Sequence, residues 1–203
     1  MKTQICLHDK KQIETFLRQN NFLHLYEIGD LDDFFWCHTT WYALTEEQQV
    51  NQIALLYTGT FLPVLIALTE ESIDSMQELI RSIIHILPKK FYAHLSKDLL
   101  AIFVDEYQIQ PHGIHYKMGL SNPSYLQNFD TSNVIPLSVA NTTEVEQLYR
   151  LSYPDNWFEL RMLETGNYFG IKQDENLVSV AGVHIYSPQY KVAALEPVMN
   201  FLG

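Results

Sequence analysis

Residues 156–195, NWFELRMLETGNYFGIKQDENLVSVAGVHIYSPQYKVAAL, decide the fold class. Trp157 to Glu164 reads as a short helix with Gly166 as its stop, because glycine takes the left-handed backbone of a helix end without a Cβ clash. Three runs rich in β-branched and aromatic residues follow: NYFGI (167–171), NLVSVAGVHIY (176–186) and KVAAL (191–195). The connections KQDE and SPQ between them are too short for anything but tight reversals. The three runs therefore read as a meander of consecutive strands.

Upstream, Val134 to Leu137 reads as a strand. A helix follows, with Asn141 as cap and Glu144 three residues on, a capping-box spacing. Val145, Leu148 and Leu151 share its apolar face, and Pro154 ends it. The order of this part is strand, helix, helix, three strands.

The first part repeats it. Ile13, Phe16 and Leu17 give Lys10 to Asn20 a helical period, and a second helical turn covers Phe22 to Glu27 and ends near Gly29. FFWCHTTWYAL (34–44) and QVNQIALLYTG (49–59) read as a hairpin across TEEQ, and PVLIAL (63–68) as a strand buried on both faces. Thr69 to Leu87 is the clearest helix, with Ile73, Met76, Ile80, Ile83, Ile84 and Leu87 in one stripe and Pro88 at its end. FYAHL (91–95) is a strand, Ser96 is placed to cap a helix over KDLLAIF, and HGIHYKMGL (112–120) reads as a further strand. SNPSYLQNFDTS (121–132) is polar, carries a proline and shows neither period. Two domains are expected, 1–125 and 133–203, with 121–132 as linker.

Composition narrows the partners. Of 203 residues 47% are hydrophobic and 18% charged, the balance of a folded chain, and 12 Tyr, 11 Phe and 3 Trp make aromatic packing prominent. The net charge of −11 opposes binding to nucleic acid or an anionic membrane. MKTQICLHDKK lacks the apolar core of a signal peptide, and Ile53 to Leu68 is broken by Thr58, Gly59, Thr60 and Pro63, so a cytoplasmic location is expected. Cys6 and Cys37 give neither a disulfide framework nor metal-ligand spacing, and read as buried free thiols. His112 and His115 fall on opposite faces of a regular strand, and Asp30, Asp32 and Asp33 read as a solvated turn; no metal site is expected.

The 156–195 run resembles the middle of an N-acetyltransferase of the GNAT superfamily. HLYEIGDLDDFFW (24–36), LLYTGT (55–60) and KKFYAHL (89–95) are similar to the non-catalytic half of tandem members. The resemblance implies an α/β (α+β) fold of mixed, mostly antiparallel sheets flanked by helices, and acyl transfer from acetyl-CoA to an amine. It also implies a glycine-containing loop after each fourth strand, opening a helix whose N–H groups hold the pyrophosphate. After PVLIAL stand Thr69-Glu70-Glu71-Ser72, whose carboxylates repel phosphate; after KVAAL stand Glu196-Pro197. The expectation is a complete first half without a coenzyme loop and a second half truncated at its fourth strand, so that no catalytic or cofactor-binding residue carries over.

A substrate groove would be lined by Trp157, Tyr168, His184, Tyr186 and Tyr190, with Val180, Gly182, His184 and Tyr186 on one face by period two. The competing reading is a half-buried sheet face with a hydrogen-bonded histidine. Glu196 is the remaining carboxylate to weigh as a base. KVAAL is expected as an apolar edge that pairs a second copy into a homodimer through 191–195, or else the second half's meander docks against the first half's sheet, with the tail 198–202 over apolar surface, unless a partner chain supplies the missing half. Two functions stay open: a GNAT-type acyltransferase incompetent as this chain alone, and a non-catalytic binding or oligomerisation module.

Overall fold

The computed structural model describes residues 2–153 and 158–195, and the backbone of 199–200. It contains two compact units, Met1–Gly119 and Leu120–Gly203. The fold is mixed α/β: two mostly antiparallel sheets flanked by helices.

The first unit runs β1 (Lys2–Cys6), α1 (Lys10–Leu17), α2 (Leu25–Gly29), α3 (Asp33–Trp36), β2 (Thr39–Glu46), β3 (Gln49–Tyr57), β4 (Val64–Ala67), α4 (Ile73–Ile83) and β5 (Tyr92–Leu95). Its sheet has the order β1-β2-β3-β4-β5. β1 to β4 pair antiparallel, and β4 pairs β5 in parallel after the α4 crossover. Asp9 caps α1, its carboxylate accepting from the Lys11 and Gln12 amides, while Ile13 and Leu17 turn inward. The stripe of α4 buries Met76, Leu79, Ile80 and Ile83 against Leu44, Ala54, Leu56 and Leu65 of the sheet.

Several expectations are corrected here. The hairpin's first strand begins at Thr39, because the Asp32 carboxylate accepts from the Phe34 amide and starts α3 instead. The α4 helix begins at Ile73, since Thr69 to Ser72 form a hydrogen-bonded turn. Ser96 caps no helix; its hydroxyl is used elsewhere, and only a 3₁₀ turn, Leu100–Ile102, follows. Residues 112–120 form no strand, so the face argument for His112 and His115 lapses. Asp30 is buried rather than solvated. Cys6 and Cys37 are both exposed, one at the end of edge strand β1, the other just past α3.

The second unit runs β6 (Val134–Leu137), α5 (Thr142–Ser152), α6 (Leu160–Glu164), β7 (Tyr168–Gln173), β8 (Asn176–Ser187), β9 (Val192–Leu195) and β10 (Met199–Asn200). β6, β7 and β8 form an antiparallel meander, and the far edge of β8 carries β10 at Ser179–Val180 and β9 at 183–187. The capping box lies three residues earlier than its sequence signature: Ser138 and Asn141 close it around a 3₁₀ turn, and the Asn141 side-chain amide then reaches Glu144 at 3.1 Å. Val145 and Leu148 join Leu137, Met162, Leu163, Tyr168 and Val180 in the core, whereas Leu151 is exposed. The α6 helix starts at Leu160 and Gly166 follows it with φ +69°. Pro154, Trp157 and Glu196 lie outside the described residues, as do 201–203 at the end of the tail.

The two units repeat one plan in detail. Each is strand, helices, then an antiparallel meander of three strands. The β2–β3 and β7–β8 hairpins turn on two residues of positive φ, Glu47 (51°) with Gln48 (69°) and Asp174 (48°) with Glu175 (65°), the geometry whose twist matches paired strands. Each hairpin then bulges at the same step: Asn51 is the extra residue between the Leu44–Gln52 and Thr45–Val50 pairs, and Val178 between Ile171–Ser179 and Lys172–Leu177. Trp41 and Tyr168 sit at the same place before their turns, and both are fully buried. A β-carbon on Gly182, the cross-strand partner of Tyr168, would lie 2.3 Å from that ring, so the ring occupies the space a side chain would need.

Exposure of both cysteines is directly checkable. Ellman's reagent should titrate two thiols per folded chain without denaturant; release of thiol only on unfolding would contradict their placement.

Candidate functional site

The segment that follows β4 in the first unit is closed by the unit's own side chains. At the C-terminal ends of the parallel pair β4 and β5, the Ser96 hydroxyl accepts from the Thr69 amide at 2.8 Å and donates to the Thr69 carbonyl at 2.8 Å. The Ser96 amide bonds the Ala67 carbonyl at 3.0 Å. Gln52, 3% exposed, donates to Thr69 Oγ1 and to the Ser72 carbonyl, and Thr69 Oγ1 accepts from the Ser72 amide. Asn20 holds the Glu70 carboxylate at 2.7 Å. Two amides that open the turn into α4 are thus satisfied internally, and a carboxylate stands beside them. A phosphate there would have to displace these bonds and face Glu70 and Glu71.

In the second unit the predicted groove residues separate. Tyr168 is a core residue, its hydroxyl 3.5 Å from Met162 Sδ and its ring against Gly182. A register irregularity between Val183 and Ile185 breaks the period-two face. Burial falls on Val180 and Gly182 before it and on Val183, Ile185 and Ser187 after it, so His184 is half-buried and Tyr186 exposed. Tyr190 is buried beyond the strand, its amide bonded to Ser187 Oγ at 3.1 Å. Only His184 and Tyr186 remain at the surface of the bulge, while Trp157 is outside the described residues.

Two further features were not singled out by sequence. An open cleft of about 660 Å³ lies between α1 and the β2–β3 turn, with the polar Gln12, Thr15, Gln19 and Gln48 set among the charged Asp9 and Lys11 and the apolar Phe16 and Val50. In the same unit His24 and Glu27, at the start of α2, are 6% and 3% exposed, with Nδ1 and Oε1 3.0 Å apart. The sequence signal available for that pair is the helical i,i+3 spacing inside HLYEIG. Among the described residues no group of His, Cys, Asp and Glu has the arrangement of a metal site, and no helix is long and apolar enough to cross a membrane.

No family model and no curated protein matches the sequence. Among solved structures the chain is similar to a GNAT-family acetyltransferase from Colwellia psychrerythraea, with TM-score 0.45 and 10% identity over 98% of this chain and 77% of that one. It is also similar to a conserved protein of unknown function from Enterococcus faecalis, a probable N-acyltransferase, with TM-score 0.40 and 11% identity over 92% of this chain. This chain spans 56% of the length of that second structure.

One surface pair gives the second unit a pH dependence. Lys172 Nζ donates to Glu144 at 2.7 Å and, with Asn141, holds that carboxyl below the usual carboxylate range. A depressed folded-state pKa stabilises above the unfolded value, and the contribution is lost as pH falls through the folded value. Both groups are solvated, so Lys172→Met should cost under about 1 kcal/mol at pH 7. In urea titrations the difference from wild type should shrink as pH falls below the ordinary carboxylate range and the Glu144 carboxyl takes up its proton; a difference that is the same in acid as at pH 7 would contradict the pairing.

Proposed function

We propose that this chain is a tandem GNAT-type protein whose first unit is a non-catalytic binding copy, with no acetyl-CoA site of its own. The observation that carries the reading is the Ser96–Thr69 closure at the end of β4 and β5. Parallel strands that part there leave a crevice for a ligand, whereas these are paired along Val64–Ala67 and Tyr92–Leu95 and then fastened by a hydroxyl. Neither segment after a fourth strand, Thr69–Ser72 or 196–198, contains a glycine through which backbone could approach a pyrophosphate.

On this reading the chain is a cytoplasmic GNAT-type scaffold that binds rather than transfers. Acyl transfer from acetyl-CoA to an amine remains the activity implied by the resemblance, and the first unit takes no part in it. His184 and Tyr186 at the β8 bulge are the second unit's best-placed contacts for a polar ligand. The repeated hairpins, turns and bulges support descent of both units from one plan. A homodimer through the edge of β9 belongs to the same proposal: Leu195 is 73% exposed there, and an apolar edge favours pairing.

Two measurements test this. Ligand at about 100 times its Kd stabilises by about 2.7 kcal/mol, which for a chain of this size is roughly 5–10 °C. Millimolar acetyl-CoA should move the melting temperature by less than about 1 °C on that scale; a shift of the full size would restore the enzyme reading. In sedimentation, wild type should be dimeric and Leu195→Lys monomeric with an unchanged circular dichroism spectrum. A variant that stays dimeric would remove β9 from the interface.

A further inference from the structure

The first unit ends in an irregular segment, residues 108–119, that runs past β5 and the start of α2. His112 packs on Tyr92 of β5 at 5.4 Å, and Gly119 lies so close to Phe22 that a β-carbon would fall 2.0 Å from its ring. Between these points Ile114, Tyr116 and Met118 point to solvent, at 87%, 86% and 91% exposure. Apolar burial therefore does not hold this stretch down. Lys117 turns the other way, with its side chain 28% exposed.

The Lys117 ammonium enters a site built from three kinds of partner. It donates to the Leu23 backbone carbonyl, lies 5.0 Å from the centroid of the Tyr26 ring, and stands 3.9 Å from Glu27 Oε2. Tyr26 is stacked on His94 at 6.4 Å, which fixes its ring plane. Glu27 is 3% exposed; His24 bonds one carboxylate oxygen, and Oε2 is buried without a hydrogen-bond donor. A carbonyl acceptor, a π face and a desolvated carboxylate together complement an alkylammonium and little else: a neutral group would leave the carboxylate unbalanced, and an anion would be repelled.

We propose that Leu23, Tyr26 and Glu27 form a binding site for a primary alkylammonium, filled here by Lys117 as a tethered internal ligand, and that an incoming amine displaces the 113–119 strap to occupy it. The site stands apart from the acyl-transfer reading and does not depend on it. Burial lowers the Lys117 pKa, with Glu27 opposing the shift, so the tether gives up its charge more readily than a free lysine. The net charge of −11 favours the approach of cationic ligands, whether a lysine side chain of another protein or a free polyamine.

Chemical rescue tests it on the full chain. Lys117→Ala, which vacates the whole side-chain path, should melt lower than wild type, and n-butylammonium chloride should restore at least half of the loss saturably, with sodium chloride of equal ionic strength giving none. Wild type, whose site the tethered lysine already fills, should respond only at a concentration at least tenfold higher. Adding Glu27→Gln to Lys117→Ala should abolish the rescue. If Lys117→Ala does not fold alone, recovery of its circular dichroism signal in n-butylammonium is the same readout. No rescue, or rescue that survives Glu27→Gln, overturns the proposal. Spermidine and a lysine peptide with its side-chain-acetylated control then separate the sources: tighter binding of one over the other supports the site and assigns the partner.

Discussion

The Ser96 hydroxyl bonds both backbone groups of Thr69, and most of what distinguishes the first unit depends on that bridge. A parallel pair at the end of an antiparallel meander must bring in its second strand through a crossover, here α4. Where the strands end, backbone donors and acceptors would be left facing a crevice. Ser96 and Gln52 satisfy them from within, so that end of the sheet is a sealed corner. Glu70 and Glu71, set where a helix dipole favours negative charge, complete the closure. The unit then stands on the α4 stripe, whose Met76, Leu79, Ile80 and Ile83 cover the sheet.

The repetition between units explains why one segment of sequence decides the class of both. A two-residue turn of positive φ and a bulge at the same step set the twist of each hairpin, and a large aromatic fills the same place under each. The copies differ at the packing partner, Leu55 against Trp41 and Gly182 against Tyr168. They differ also in charge. The first unit carries a buried carboxylate with its own lysine over it, and the second keeps its Lys172–Glu144 pair at the surface.

Element order was legible because periodicity and turn chemistry are local. The α4 stripe, the β2–β3 hairpin and the 156–195 meander all announce themselves in short windows. Asp32 defeated the strand reading of Phe34 to Trp36, since one capping bond outweighs β-propensity over a single turn. Residues 112–120 alternate as a strand does, yet no sheet edge receives them among the described residues, and the alternating Ile114, Tyr116 and Met118 face solvent; alternation needs a pairing partner before it defines a buried face. The bulge near His184 likewise moved the inward set by one residue, an effect invisible to a period-two count. Glu27 and Lys117 are distant in sequence, and no local pattern links a carboxylate on one helix to a lysine on a strap.

Amide hydrogen exchange at the corner of β4 and β5 tests the central claim most directly. The account predicts that peptides covering 64–69 and 92–96 exchange with the slow core of the first unit, at rates unchanged by millimolar acetyl-CoA. Exchange within seconds there, or protection that appears only when acetyl-CoA is added, would contradict a corner sealed by Ser96 and would mark it as a ligand site.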